Sequence, residues 1–97
     1  MSDSEEQPMS VDESVLDGNA VAGLLAATFG TEMTSVPGLC AHCHDIHMVA
    51  QLRAYTRAPG VVLRCPSCEG VVIRVVETPT ATFVDVSGLS WLRIERR

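Results

Sequence analysis

Four cysteines are the residues of this chain whose types and spacing point most directly to chemistry. Cys40-Ala41-His42-Cys43 and Cys65-Pro66-Ser67-Cys68 form a CxxC-x21-CxxC arrangement, just beyond the usual spacing for a four-cysteine zinc site. Two cysteines three apart on a tight turn point their sulfurs to one side, so two such turns brought together supply four tetrahedral thiolates. Zn²⁺ suits that geometry because it is borderline soft and indifferent to redox state. Cys40, Cys43, Cys65 and Cys68 are therefore expected to hold one zinc ion per chain.

Other uses of the same thiols are weaker. A rubredoxin-like iron site has the same donor set, but nothing else in the chain looks built for electron transfer. Redox-active CxxC pairs rely on a thiolate activated at a helix start, and both pairs here sit among β-type residues. Structural disulfides need an oxidising compartment. His42, His44 and His47 crowd the first pair and could replace a cysteine, yet four thiolates already complete a tetrahedron. A closed site has no open position for water, which catalytic zinc requires. Asp45 and Glu69 are lone acids beside the cysteines, and no serine elbow or other nucleophile constellation is present, so no catalytic residue is expected and the chain is read as a non-enzyme.

The elements that must position these residues can be read outward from them. Asp17 or Asn19 can cap a first helical turn, and Val21, Leu24, Leu25 and Thr28, with Phe29 beyond, fall at helical spacing. Gly30 supplies a residue that accepts positive φ just past the end. Residues 47–57 alternate, with Met48, Ala50, Leu52, Ala54 and Thr56 on one side, which predicts a half-exposed strand. Residues 61–65 and 70–77 are rich in Val and Ile and predict a hairpin flanking the second cysteine pair. Residues 80–86 predict a further strand, and 91–94 either a strand or one helical turn. The fold class is thus a small α+β chain: one N-terminal helix and a three- to four-stranded antiparallel sheet.

Residues 1–17 contain six acids and no base, whereas the remaining eighty carry six acids and seven arginines, with no lysine anywhere. Residues 1–15 are poor in large apolar groups and predict a disordered acidic tail, leaving 16–97 as the folded domain. A four-thiolate zinc centre would carry the net charge from −5 to about −7. That balance argues against nucleic acid as a partner, although Arg53, Arg57, Arg64 and Arg74 could form a local basic patch. No segment reaches the run of about 20 apolar residues needed to span a membrane. The N-terminus lacks the basic and apolar regions of a secretory signal, so a cytoplasmic location is expected. A core of this size gains little stability on its own, which predicts that metal and fold are coupled.

At its cysteine turns the chain resembles the zinc-ribbon class, with Cys65-Pro66-Ser67-Cys68 the closer match. Such turns usually place Gly directly after the second cysteine, where positive φ is needed. His44 and Glu69 stand there instead, and Gly70 comes one residue late, a departure that bears on the turn geometry and not on the ligand set. Across residues 16–94 the chain also resembles a family of small, uncharacterised actinobacterial proteins. The resemblance is carried by Asp17-Gly18-Asn19-Ala20, Gly23-Leu24-Leu25, Phe29-Gly30, the run from Arg57 to Pro66, and Asp85-Val86-Ser87-Gly88-Leu89. It implies a ribbon preceded by a helix and brings no activity. Such proteins are often encoded beside flavin-dependent reductases and molybdopterin oxidoreductases, so it also implies an accessory role to a redox enzyme. The expected function is a non-catalytic zinc-binding protein that acts as an interaction or accessory module. Its expected contact surfaces are the helix around Val21, Leu24, Leu25 and Phe29 and the apolar end with Leu89, Trp91 and Leu92.

Overall fold

The computed structural model describes residues 15–57 and 59–96. The chain begins with β1 (Val15–Asp17) and a 3₁₀ turn over Gly18–Val21, followed by helix α1 (Ala22–Phe29). Then come β2 (Pro37–Cys40), β3 (Ile46–Met48), a second 3₁₀ turn over Val49–Gln51, β4 (Arg53–Tyr55) and β5 (Val61–Arg64). The chain continues through β6 (Val71–Glu77), β7 (Thr82–Asp85) and β8 (Leu89–Leu92). The strands form two antiparallel sheets, one of five in the order β1-β4-β5-β6-β7 and one of three in the order β3-β2-β8.

The single three- to four-stranded sheet expected from the sequence is therefore corrected to two sheets. The reason lies in residues 47–57, expected as one strand. Met48 ends β3, and the chain then turns so that the Val49 amide bonds to Val36 O and the Ala50 amide to Thr34 O, away from any ladder. Gln51 Oε1 accepts from the Met48 amide and closes the turn. Residues three apart align in a 3₁₀ turn, so Val49 and Leu52 are buried together. After the turn β4 joins the other sheet, and Ala54 enters the core.

The start of the helical region follows the sequence closely. Asp17 Oδ1 accepts from the Asn19 amide at 3.1 Å, and Gly30 (φ 77°) closes α1 with its amide on Ala26 O at 2.8 Å. Val21 and Leu25 drop into the core with Met33, Val36, Leu63, Ile73 and Val75, while Leu24 and Phe29 pack half-buried against it. Within the segment 91–94, Trp91 and Leu92 belong to strand β8, Trp91 pairing with Leu39, whereas Arg93 and Ile94 lie beyond its end. The expected tail falls on residues 1–14, outside the described residues, except at Val15, which pairs with Tyr55 as part of β1.

Candidate metal centre

Each cysteine pair forms the turn of a hairpin, and the two hairpins belong to different sheets. Residues 40–45 join β2 to β3 in the small sheet, and residues 65–70 join β5 to β6 in the large one. The two turns share one plan. The Cys40 amide bonds to Asp45 O at 2.9 Å and the His44 amide to Cys40 O at 3.0 Å; the Cys65 amide bonds to Gly70 O and the Glu69 amide to Cys65 O, both at 2.9 Å. His44 (φ 67°) and Glu69 (φ 66°) adopt the left-handed conformation that glycine usually supplies at this point. The turn geometry is thus kept without the glycine. Amides also reach sulfur, from His42 to Cys40 Sγ and from Gly70 to Cys68 Sγ, each at 3.4 Å.

The turns bring the four Sγ atoms within 4.8 Å of one another. Cys40 Sγ lies 3.7 Å from Cys68 Sγ, and Cys43 Sγ lies 3.7 Å from Cys65 Sγ, so the closest pairs each link one turn to the other. No disulfide joins them. A tetrahedron with Zn–S bonds of about 2.3 Å has edges of about 3.8 Å, so both short separations fit a four-thiolate zinc site. Cys40 and Cys65 are buried, Cys43 is partly buried and Cys68 is exposed.

Electrostatics also favours a cation here. Burial raises the Cys40 thiol, but the amides of Cys43 and His42 and the thiols of Cys68 and Cys43 outweigh it and lower the pKa to about 7. Cys43 moves the other way. The Asp45 amide lowers it, yet burial and the thiols of Cys65, Cys40 and Cys68 push it up to about 12. Cys68 is raised as well, because burial and the Cys40 thiol outweigh the Gly70 amide. One thiolate therefore hinders the next, and a metal ion removes that opposition.

Two histidines, His42 and His47, tie the two hairpins together. His42 Nε2 lies 3.3 Å from Val71 O, where only a ring N–H can make the bond, and His47 Nε2 lies 3.0 Å from Ser67 Oγ. Among the described residues the metal-competent group consists of the four cysteines alone. His42 and His47 cross from the first hairpin to the second, a role with no signal in the sequence beyond their nearness to Cys43.

Of the arginines set out as a basic patch, Arg53 and Arg74 stand beside acids, and Arg64 is held by a backbone carbonyl and an aromatic ring. Arg53 and Arg64 face each other across β4 and β5, and Asp17 stands beside Arg53 in the same row. Arg53 Nε meets Glu69 Oε2 at 3.7 Å, Arg64 Nη1 donates to Glu69 O at 2.8 Å and lies over the Tyr55 ring, and Arg74 pairs with Asp85 across β6 and β7. The expected apolar surfaces change too. Val21 and Leu25 are core residues, and Leu89 and Leu92 face inward with Gly38 and His47 around a small internal cavity. Trp91 faces outward, where Ile46, Met48, Leu39 and Pro37 join it. Alternation alone placed Met48 with the inward Leu52 and Ala54; the break at Val49–Gln51 sends it to the outside.

A family model described as a family of unknown function, DUF6510, matches residues 10–97. The chain belongs to that DUF6510 family. The match takes in both cysteine turns and every strand described above. No curated protein and no solved structure matches the chain. No described helix is long and apolar enough to cross a membrane.

Proposed function

We propose that this protein is a structural zinc ribbon, in which one Zn²⁺ held by Cys40, Cys43, Cys65 and Cys68 fastens the two sheets so that the chain can act as a non-catalytic interaction or accessory module. The observation that carries the reading is the convergence of four sulfurs within 4.8 Å from two turns that share one pattern of backbone hydrogen bonds. Zinc bound there supplies a Lewis-acidic, redox-inert centre, and four protein thiolates leave it no position for a substrate. Support for a role outside the metal comes from the surface, where an apolar sheet face stands open. Arg53 and Arg74, each beside an acid, lend nucleic acid less support.

Native mass spectrometry of the untagged protein from its own cells tests the reading, since it reads metal mass, stoichiometry and co-purifying protein together. One zinc per chain and a colourless preparation are expected. A coloured, iron-containing preparation would replace the structural role with electron transfer. Replacing His42, His44 and His47 together should leave one zinc in place, and loss of the metal would mean a mixed Cys/His site.

A further inference from the structure

A zinc ion between the four cysteines is redox-inert, but the sulfurs that hold it are not, and they are unequally placed. Cys40 and Cys65 are buried, Cys43 is partly buried, and Cys68 alone of the four is exposed. Ser67 and Glu69 on either side of it are exposed as well, and the Gly70 amide meets its sulfur at 3.4 Å. Both Sγ separations of 3.7 Å, Cys40 to Cys68 and Cys43 to Cys65, run from one turn to the other. A disulfide brings two sulfurs to about 2.05 Å, so each 3.7 Å pair has about 1.7 Å to close.

These placements set an order of events and a class of reactant. Oxidation follows thiolate character and exposure, which selects Cys68. Four thiolates around one divalent ion leave the centre negative, and Glu69 adds a further charge beside Cys68, so a small neutral oxidant reaches the sulfur more readily than an anionic one. We propose that the site is a peroxide-triggered zinc-release switch in which Cys68 is oxidised first and Cys40 resolves it. The Cys68 thiolate attacks one oxygen of hydrogen peroxide, the O–O bond breaks, and hydroxide leaves a sulfenic acid behind. The Cys40 thiolate then attacks the Cys68 sulfur, the S–O bond breaks, a second hydroxide departs and the S–S bond forms. Two electrons have passed from the two thiolates to the peroxide, and with two of its four ligands gone the site releases zinc. Cys43 and Cys65 form the second such bond with a second peroxide. A disulfide inside one turn would tie residues only three apart. Across the turns it fastens the end of β2 in the small sheet to the turn after β5 in the large one, so the sheets stay joined once the metal has left. The inference rests on the zinc site proposed above and adds its regulation.

The full, zinc-loaded chain is treated with hydrogen peroxide while a metal-sensitive dye reads zinc, and release should accompany the loss of free thiols. Trypsin then locates the bonds. The chain has no lysine, so cleavage after arginine leaves Cys40 and Cys43 in peptide 1–53 and Cys65 and Cys68 in peptide 65–74. Mass spectrometry without reduction should find these two peptides joined, with the Cys40–Cys68 bond formed first. Separate peptides, each with an internal disulfide, would overturn the proposal. So would zinc retained in excess peroxide, or zinc that a thiol reductant fails to restore to the site. Cys68→His keeps four ligands of zinc-binding type but removes the exposed sulfur, and it should slow release several-fold. Cys43→His should not, and equal slowing in the two would count against the assigned order. Where a variant fails to hold zinc, the peptide map of the unaltered chain still decides. Zinc measured before treatment separates the two failures: a zinc-loaded chain that peroxide leaves intact removes only the switch, whereas a folded chain that never held zinc removes the reading beneath it.

Discussion

Cys40 ends a strand in a sheet of three short strands, whereas Cys65 follows a strand in a sheet of five, and the same turn therefore works against unlike backgrounds. The large sheet places Ala54, Leu63, Ile73 and Val75 in the core, none more than 1% exposed. The small sheet buries one face and leaves Ile46, Met48 and Trp91 open on the other. β8 comes from a segment about fifty residues beyond β2, so pairing them also carries a closure entropy. The metal centre is where the two backgrounds meet. A metal bound there would be expected to stabilise the small sheet more than the large one, because the large sheet has packing of its own.

The strongest way to break this comparison is to remove the metal. A structural zinc contributes about 10–16 kcal/mol of apparent binding free energy at neutral pH, which matches or exceeds the whole stability of an ordinary small domain. Cys65→Ser should therefore lose zinc and leave the chain largely unfolded, and a native-like circular dichroism spectrum would contradict the ligand assignment. Chelation followed by hydrogen exchange sharpens the point: amides of β2, β3 and β8 should lose protection before those of β5 and β6. Equal loss in both sheets would show that the metal serves them alike. Acid should act in the direction of chelation. A bound thiolate must first lose its proton, so the zinc contribution is full at neutral pH and falls as pH falls, with zinc release read by a metal-sensitive dye.

A smaller effect is expected where the sheets touch away from the metal. Gly88 sits against the backbone of β6, and a Cβ there would collide with Val71 O and lie 2.5 Å from Val72 Cα; its carbonyl also accepts from the Ala41 amide in the first cysteine turn. Neither backbone can move without disturbing a ladder. Gly88→Ala should cost about 3 kcal/mol in urea denaturation of the zinc-loaded chain. At Gly70 the obstacle is the His42 ring, 2.6 Å from an added Cβ, and a side chain can swing aside at the cost of its bond to Val71 O. Gly70→Ala should cost only about 1 kcal/mol. The reverse order would mean that the histidine, not the backbone contact, sets the spacing of the sheets.

Legibility in the sequence followed the range of the interactions involved. The cysteine set, the Asp17 cap, the Gly30 stop and the Val-rich hairpin around Cys65 are local, and residue types a few positions apart disclose them. The pairing of β2 with β8 and of β1 with β4 is not local, and nothing within Val15–Asp17 marks a strand once the acids before it suggest a tail. Residues 47–57 misled for a physical reason as well. Their alternation is real, but the amides of Val49 and Ala50 bond to the linker before β2, and the side-chain phase resets there. Met48 and Leu52 consequently face opposite environments despite their even spacing.

The smallest effect concerns the residues that took the place of glycine. A left-handed conformation costs a residue with a Cβ about 1–2 kcal/mol, and His44 and Glu69 both bear it. Glycine removes that cost but makes the unfolded chain more flexible, which returns about 0.4–1 kcal/mol. His44→Gly should therefore raise the stability of the zinc-loaded chain by roughly 0.5–1 kcal/mol. Glu69→Gly should gain less, because it also removes the carboxylate that meets Arg53 at 3.7 Å, a pair whose side chains are 49% and 57% exposed and so add little. The Arg64 bond to Glu69 O is made to the backbone and survives the change. Thermal melts of both variants decide the matter. If His44→Gly gains and Glu69→Gly is level, the two turns differ only in what their side chains reach; if both lose stability, each side chain is holding its turn in a way the shared backbone plan does not require.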